Sequence, residues 1–250
     1  MSRDARLSLV PLVLAAGRGR RMGGPKALLE LGGQTALARC LSTYAAAREL
    51  LHATPTTPDA GCAALAPPLV VCAPELEADL AGRHPGLHLV PNPAPDRGQT
   101  SSVQVGLAAL ARGFPLAGAT GQRTTTGAAR TDLRPTAILV HPVDHPLVRA
   151  IDVVALVAAA AHHPDAPVIL PSHQQRAGHP ALIRDLLWPA ILALDADAPL
   201  HSVLRPHRER TQFVACDHPG VVTDLDTPGD LAAARALWAS EAQEDAGGKR

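Results

Sequence analysis

Short apolar runs alternate with longer stretches of helical periodicity along most of the chain, and this alternation limits the folds open to it. Leu7–Leu14 (LSLVPLVL), Leu69–Cys72, Leu87–Val90, Thr136–Val140, Val168–Leu170, His179–Ile183 and Thr211–Cys216 read as strands. Thr35–Leu51, Ser101–Leu110, Ala150–Ala161, a segment near Arg184–Leu194 and Pro228–Ser240 read as helices. Short, continuously apolar strands suit burial on both faces, and strands alternating with helices build βαβ units around a mostly parallel sheet. The expected architecture is α/β, a single three-layer α/β/α domain over residues 1–240. Segments at about 52–68 and 112–135 carry no core pattern and are expected as surface insertions, and 241–250 as a flexible tail.

Composition narrows the ligand. Apolar residues make up 46% of the chain and aromatics 2%, so the core must be aliphatic. Lys plus Arg and Asp plus Glu balance at 23 each, without the basic excess of a dedicated nucleic-acid binder. Cys40, Cys62, Cys72 and Cys216 are scattered without C-x-x-C spacing, which argues against a zinc site or a disulfide framework. Cys40 and Cys72 sit in apolar segments and are expected as buried thiols. No apolar run reaches the ~18 residues of a membrane span, and the first residues lack the long apolar stretch of a signal peptide. The expected protein is cytoplasmic, with neither nucleic acid nor membrane as partner. Its basic residues are concentrated where a small anion would need them.

That place is Leu14–Lys26, LAAGRGRRMGGPK, directly after the first strand. Glycines there let the backbone turn sharply and bring its N–H groups close to a ligand. A row of such groups forms an anion nest. Arg18, Arg20, Arg21 and Lys26 add full charges, which suits a polyphosphate better than a single carboxylate. The loop matches neither common phosphate spelling. Gly17, Gly19 and Gly23 read G-x-G-x-x-x-G, one residue longer than the dinucleotide fingerprint, and Pro25 stands where a P-loop has its lysine. No hydroxyl follows Lys26 to hold a metal, so any metal must be held by carboxylates elsewhere.

LAAGRGRRMGGPKALLELGGQT resembles the opening motif of nucleotidyltransferases with a GT-A-like, Rossmann-like fold, and within them the MobA/MocA-like molybdopterin cytidylyl- and guanylyltransferases. The resemblance implies that the loop, from Gly17 through Arg18, Gly19, Arg21, Met22, Gly23 and Pro25 to Lys26, grips the phosphates of an NTP. Leu14, Ala15 and Ala16 would lie near base and ribose. The spelling LAAG is similar to the cytidylyltransferases, which favours CTP, whereas guanylyltransferases more often show LAGG.

Four later segments are similar to motifs of the same family, in the same order. Gly98-Gln99-Thr100-Ser101-Ser102 opens a helix, and Gly98, Gln99, Ser101 and Ser102 would join the nucleotide site; Thr100 or Ser101 also reads as an ordinary N-cap. Asp144 ends the apolar run TAILVHPVD, and the resemblance makes it a catalytic residue with Lys26 and Arg18, and a ligand of Mg²⁺. His145 stands where the family often has Gln. His145 and Pro146, with Gly178 and His179 of RAGHPALI, would form the acceptor side. His141 and His145 beside Asp144 also admit a transition-metal site, although a polyphosphate favours hard oxygen ligands. In VVTDLDTPGDL, Thr227, Pro228 and Asp230 read as a capping box, and the resemblance makes Asp226 the second Mg²⁺ ligand, with Asp224 the weaker candidate.

The implied reaction transfers an NMP, CMP from CTP in the favoured reading, to a phosphorylated acceptor such as molybdopterin or the molybdenum cofactor, releasing pyrophosphate. A molybdoenzyme or its maturation chaperone would be the protein partner. The alternatives are a sugar- or alditol-phosphate nucleotidyltransferase, a GTP-using molybdenum cofactor guanylyltransferase, and a nucleotide-binding regulator without catalysis.

Overall fold

Along β1 (Ser8–Ala15) every residue is buried, and alternate side chains enter two different cores. Leu9, Val13 and Ala15 join one, and Val10, Leu12 and Leu14 the other. This is what a central strand covered on both faces requires. The computed structural model describes residues 7–53, 63–113 and 135–247. Two single 3-10 turns, Arg20–Met22 and Lys26–Leu28, and a small hairpin of β2 (Glu30–Leu31) and β3 (Gln34–Thr35) lead into α1 (Ala36–Ala53). Then come β4 (Ala64–Leu65), β5 (Leu69–Cys72), α2 (Glu77–Arg83), β6 (His88–Pro91) and α3 (Gln99–Ala111). The second half holds β7 (Ala137–Pro142), α4 (Ala150–His162), β8 (Val168–His173), β9 (Arg176–Ala177), β10 (Ala181–Arg184), α5 (Trp188–Ala193), α6 (His201–Leu204), β11 (Gln212–Ala215) and α7 (Pro228–Gly247).

The main sheet runs β11-β8-β10-β7-β1-β5-β6, with β4 on β1 and β9 on β8. Pairing is parallel except at β9 and β10, both antiparallel to their neighbours. Helices α1, α2 and α4 supply one core, and α3 and α5 the other, which makes the expected three layers. From β1 the chain steps outward to β5 and β6, and α3 returns it to β7 on the other side of β1. The strand order therefore reverses between β1 and β7. Open α/β sheets bind ligands in the crevice beyond the carboxyl ends of such a pair, and the glycine-rich loop and Asp144 both leave the sheet there.

Proline is unusual in a central strand because it cannot donate to the ladder, yet Pro11 lies in the middle of β1. Leu9 turns its backbone toward β4, where its carbonyl accepts from Ala66 N–H, and Pro11 faces the same side. Opposite it the neighbouring chain is Ala66-Pro67-Pro68, between the end of β4 and the start of β5. The missing N–H falls where the neighbouring strand is itself interrupted.

Three expectations need correction. The segment 52–68 is not all insertion: α1 continues to Ala53, and β4 extends the main sheet with Leu65 buried. Residues 54–62 and 114–134 of the two expected insertions, with Cys62, lie outside the described residues. The final helix runs past Ser240 to Gly247, because EAQEDAG supplies good helix formers after the apolar period ends. Finally, α3 begins at Gln99 with Gly98 (φ 94°) as its N-cap, so neither Thr100 nor Ser101 caps it. Cys40, Cys72 and Cys216 are free and buried. Among the described residues no helix is long and apolar enough to cross a membrane.

Candidate functional site

The glycine-rich loop is folded tightly. Met22 N–H donates to Gly19 O at 2.8 Å, and Gly19 and Gly23 both have positive φ, 57° and 75°. A Cβ on Gly19 would lie 2.0 Å from Gly24 O, so this position needs glycine for space as well as conformation. Leu14 and Ala15 point into the two cores, so what they offer a ligand is backbone. Arg18 reaches across the crevice mouth to Asp96 at 3.1 Å and Glu75 at 3.5 Å, and Arg20 also meets Asp96 at 3.5 Å. Arg21 lies on the exposed side of the loop.

Lys26 turns inward from the end of the loop. Its Nζ donates to Asp144 Oδ2 at 2.7 Å and also to Asp226 Oδ1. Asp144 follows β7. Asp226 follows the segment after β11, and Leu225 N–H donates to Asp144 O at 2.9 Å, which sets the two aspartates side by side. The capping box just beyond holds Asp226 in register: Asp230 N–H donates to Thr227 Oγ1, and the Asp230 carboxylate accepts from Thr227 N–H and Asp226 N–H. Burial disfavours charge on Lys26, but its bonds to Asp144 and Asp226 outweigh this and raise its pKa. Burial likewise opposes ionisation of Asp144, yet Lys26 holds its carboxyl below the usual range. Asp144 Oδ1 is buried without a hydrogen-bond partner. Asp224 is exposed beside this cluster.

Of the four residues expected on the acceptor side, the two histidines come together. The His145 and His179 rings lie 4.6 Å apart, and His145 Nε2 is 3.9 Å from Asp144 Oδ1. Pro146 O accepts from Arg39 Nε at 3.3 Å. Gly178 is pressed against the segment leading to Asp226, where an added Cβ would lie 2.1 Å from Val221 O. Burial, reinforced by His179, pushes the pKa of His145 down to about 3, and burial lowers His179 as well. Both imidazoles are therefore neutral at neutral pH. His141 does not join them. Its Nε2–H donates to His145 O at 3.0 Å and its Nδ1 accepts from Tyr44 OH at 3.0 Å, so both ring nitrogens are committed beneath the loop. His141 therefore offers no nitrogen to the alternative His/Asp metal site, and no group of three or more metal-ligating side chains occurs among the described residues.

Ser101 and Ser102 face inward. Both hydroxyls accept from Asn92 Nδ2, at 2.9 and 3.0 Å, and Thr100 Oγ1 donates to Ala198 O. What the start of α3 presents outward is Gly98 and Gln99, both exposed.

Residues 11–212 match the MobA-like NTP transferase domain. The chain belongs to the MobA-like NTP transferase family. It is a nucleotidyltransferase, an enzyme whose substrate is a nucleoside triphosphate. The match ends before Asp226, whose place beside Asp144 comes from the geometry. Among solved structures the chain is similar to Rv0371c from Mycobacterium tuberculosis H37Rv, at 20% identity and TM-score 0.65 over 92% of this chain and 98% of that one. A manganese complex of Rv0371c matches at 19% and 0.58, over 91% and 98%. Molybdopterin-guanine dinucleotide biosynthesis protein A from Archaeoglobus fulgidus matches at 16% and 0.56, over 92% and 99%. 4-diphosphocytidyl-2C-methyl-D-erythritol synthase from Anaerococcus prevotii DSM 20548 matches at 14% and 0.63, over 94% and 97%. At such identities the likeness is one of fold. No curated protein sequence matches the chain.

The sequence reading of this NTP transferase missed several residues that shape the site. Asn92 ties β6 to α3, and the pattern P-N-P offers only a turn signal for it. Glu75 and Asp96 pair with Arg18, but isolated acids in loops carry no periodic signature. Tyr44 and His141 support the Asp144 loop from α1 and β7, a link made only by the fold. His218 follows an edge strand and belongs to no recognisable motif.

Proposed function

We propose that this transferase moves an NMP, CMP from CTP in the favoured reading, onto a phosphorylated acceptor such as molybdopterin, in a Mg²⁺-dependent reaction that releases pyrophosphate. The observation that supports this most directly is the meeting of Lys26 with Asp144 and Asp226 at the crevice where the glycine-rich loop leaves β1. The donor set fits Mg²⁺: two carboxylates, one with a buried orphan oxygen, at a site where substrate phosphates and water complete the shell. The acceptor phosphate oxygen attacks the α-phosphorus, the bond to the β-phosphate oxygen breaks, and pyrophosphate leaves. That nucleophile is ionised at neutral pH, so no strong general base is needed, in keeping with neutral His145 and His179 on the acceptor side. The backbone N–H groups of Gly17–Gly24 and the charges of Arg18 and Lys26 grip the triphosphate and hold it in line. Asp144 and Asp226 would hold Mg²⁺, whose charge would offset that building on the α-phosphate and the leaving group.

Pyrophosphate release measured with CTP, GTP, UTP and ATP, each with Mg²⁺ and with molybdopterin or sugar and alditol phosphates, tests the reading. CTP with molybdopterin is expected to turn over best. Asp144→Ala and Lys26→Ala are expected to lose on the order of 10²–10³ in rate with the fold retained. Full turnover in either variant would remove the site assignment, turnover with a sugar phosphate would change the acceptor, and nucleotide binding without pyrophosphate release would overturn both acceptor classes.

A further inference from the structure

A second polar cluster lies behind the site, built from α4 and the segment that carries Asp226. Asp152, at the third position of α4, is buried and accepts from Arg149 N–H at 2.8 Å, closing the first turn of the helix. The same oxygen, Oδ2, accepts from His218 Nε2 at 3.1 Å. The other ring nitrogen of His218, Nδ1, accepts from Gly220 N–H at 2.9 Å. Because Gly220 N–H can only donate, Nδ1 is bare and the proton sits on Nε2. One buried imidazole thus joins a helix start to a turn.

Beyond His218 the chain is locked to both halves of the proposed site. Gly220 packs so closely that a Cβ would lie 2.1 Å from the His218 ring and 2.3 Å from Leu147 O. Val221 O accepts from His179 N–H at 2.8 Å, Thr223 Oγ1 donates to Pro219 O at 2.8 Å, and Leu225 N–H donates to Asp144 O at 2.9 Å. Asp226 follows. The segment 218–226 therefore touches His179, Asp144 and Lys26 in turn, and His218 fastens its near end to α4.

We propose that His218 is a positioning residue: its bond to Asp152 anchors the segment that delivers Asp226 to the divalent-metal position. This rests on Asp226 acting as proposed above. Neither Asp152 nor His218 meets a phosphate or a metal; they act through the backbone between residues 218 and 226. Partners bonded directly to metal ligands typically change metal affinity by about 10- to 100-fold when removed; His218 acts one step further out, so the lower end of that range is expected.

The two bonds of His218 can be separated by substitution. His218→Asn keeps an oxygen at the Nδ1 position for Gly220 N–H but is too short to reach Asp152. His218→Gln keeps a donor at the Nε2 position. Mn²⁺ binding to the full chain, followed by electron paramagnetic resonance with and without CTP, is the readout, with thermal denaturation alongside. His218→Ala and His218→Asn are expected to weaken Mn²⁺ by about tenfold, and His218→Gln to restore most of it. Adding Asp152→Ala to His218→Ala should weaken Mn²⁺ binding little further, although it lowers the melting temperature because Asp152 also closes the first turn of α4 through Arg149 N–H. If His218→Asn binds Mn²⁺ like the wild type, or Gln fails to do better than Asn, the positioning role is overturned. Asp226→Ala separates the two ideas: unchanged Mn²⁺ binding in that variant removes Asp226 from the site, whereas weakened binding there with normal binding in His218→Ala removes only the role of His218.

Discussion

Lys26 is the residue on which the site turns, and its charge has a consequence for stability. Burial opposes charge on both Lys26 and Asp144, yet pairing prevails in both, so the lysine pKa rises and that of Asp144 falls. A carboxyl whose folded pKa lies below its unfolded value of about 3.9 gives its full contribution above that value and loses it as the pH falls through the lowered one. A lysine raised above about 10.4 gives its contribution below that pH and loses it as the pH rises through the raised value. Both are intact near neutrality. In Lys26→Met the burial of Asp144 remains without its partner, so acid should relieve the variant by protonating that carboxyl. Calorimetry from pH 7 to pH 4 is expected to show the melting temperatures of wild type and Lys26→Met converging. A gap that stays constant across this range would mean that the pair is not charged as described. The sequence showed these residues one by one: glycines and a lysine after a strand, an aspartate at a strand end, an aspartate before a cap. It did not show that Lys26 would bridge both acids, because side chains separated by 118 and 200 positions meet only once the sheet is built.

Among the secondary-structure elements, α3 shows how an exposed helix start is held from behind. Its Ser101 and Ser102 hydroxyls are committed to Asn92 Nδ2, whose Oδ1 in turn accepts from Ala94 N–H at 2.9 Å. Asn92 is 1% exposed, and replacing it takes the partner from Ser102 Oγ and Ala94 N–H, whereas Ser101 keeps its bond to Gly98 O. Asn92→Ala is expected to cost roughly 2–4 kcal/mol, at about 1–3 kcal/mol for each buried group left unsatisfied, and to weaken nucleotide binding as the Gly98–Gln99 start loosens. Urea denaturation and nucleotide titration check both; a loss well under 1 kcal/mol would show that α3 does not depend on this clamp. The long elements were readable because their patterns are long: β1, α1, α3, β7 and α4 all lie close to the ranges their periodicity gives. The missed ones lack such a signal. β4 is two residues long, too short for any period. β10 reads as a strand, but its antiparallel direction follows from the hairpin of β8 and β9, whose turn places Gln174 and Gln175 at positive φ without the usual glycine or asparagine.

At the scale of the whole molecule, the site is assembled from chain segments far apart in sequence, and α7 binds them together. Leu31 after the lysine turn, Leu147 after Asp144, Leu225 before Asp226 and Ala234 of α7 form a third core cluster, with Leu231, Leu237 and Trp238 packed against it. Trp238 also receives the Arg39 guanidinium 3.6 Å from its ring centre, and Arg39 donates to Pro146 O. The ring sits over Gly32, where a Cβ would lie 2.1 Å from Trp238 Nε1. These contacts lie apart from the two large cores that hold the sheet, so α7 should be able to loosen while the sheet stays folded. Trp238→Ala removes an aromatic contact and a cation–π pair, a loss of roughly 2–3 kcal/mol for a partly buried ring. Hydrogen exchange is expected to show the amides of α7 and of residues 144–147 and 225–227 opening faster in the variant, with β1 and β5 still protected to the level of global unfolding. Divalent-metal affinity should fall with them, since Asp144 and Asp226 both lead directly into this cluster. If β1 and β5 lose protection in step with α7, the third cluster is continuous with the main cores, and Asp144 and Asp226 are held by the sheet rather than by the helix that closes over them.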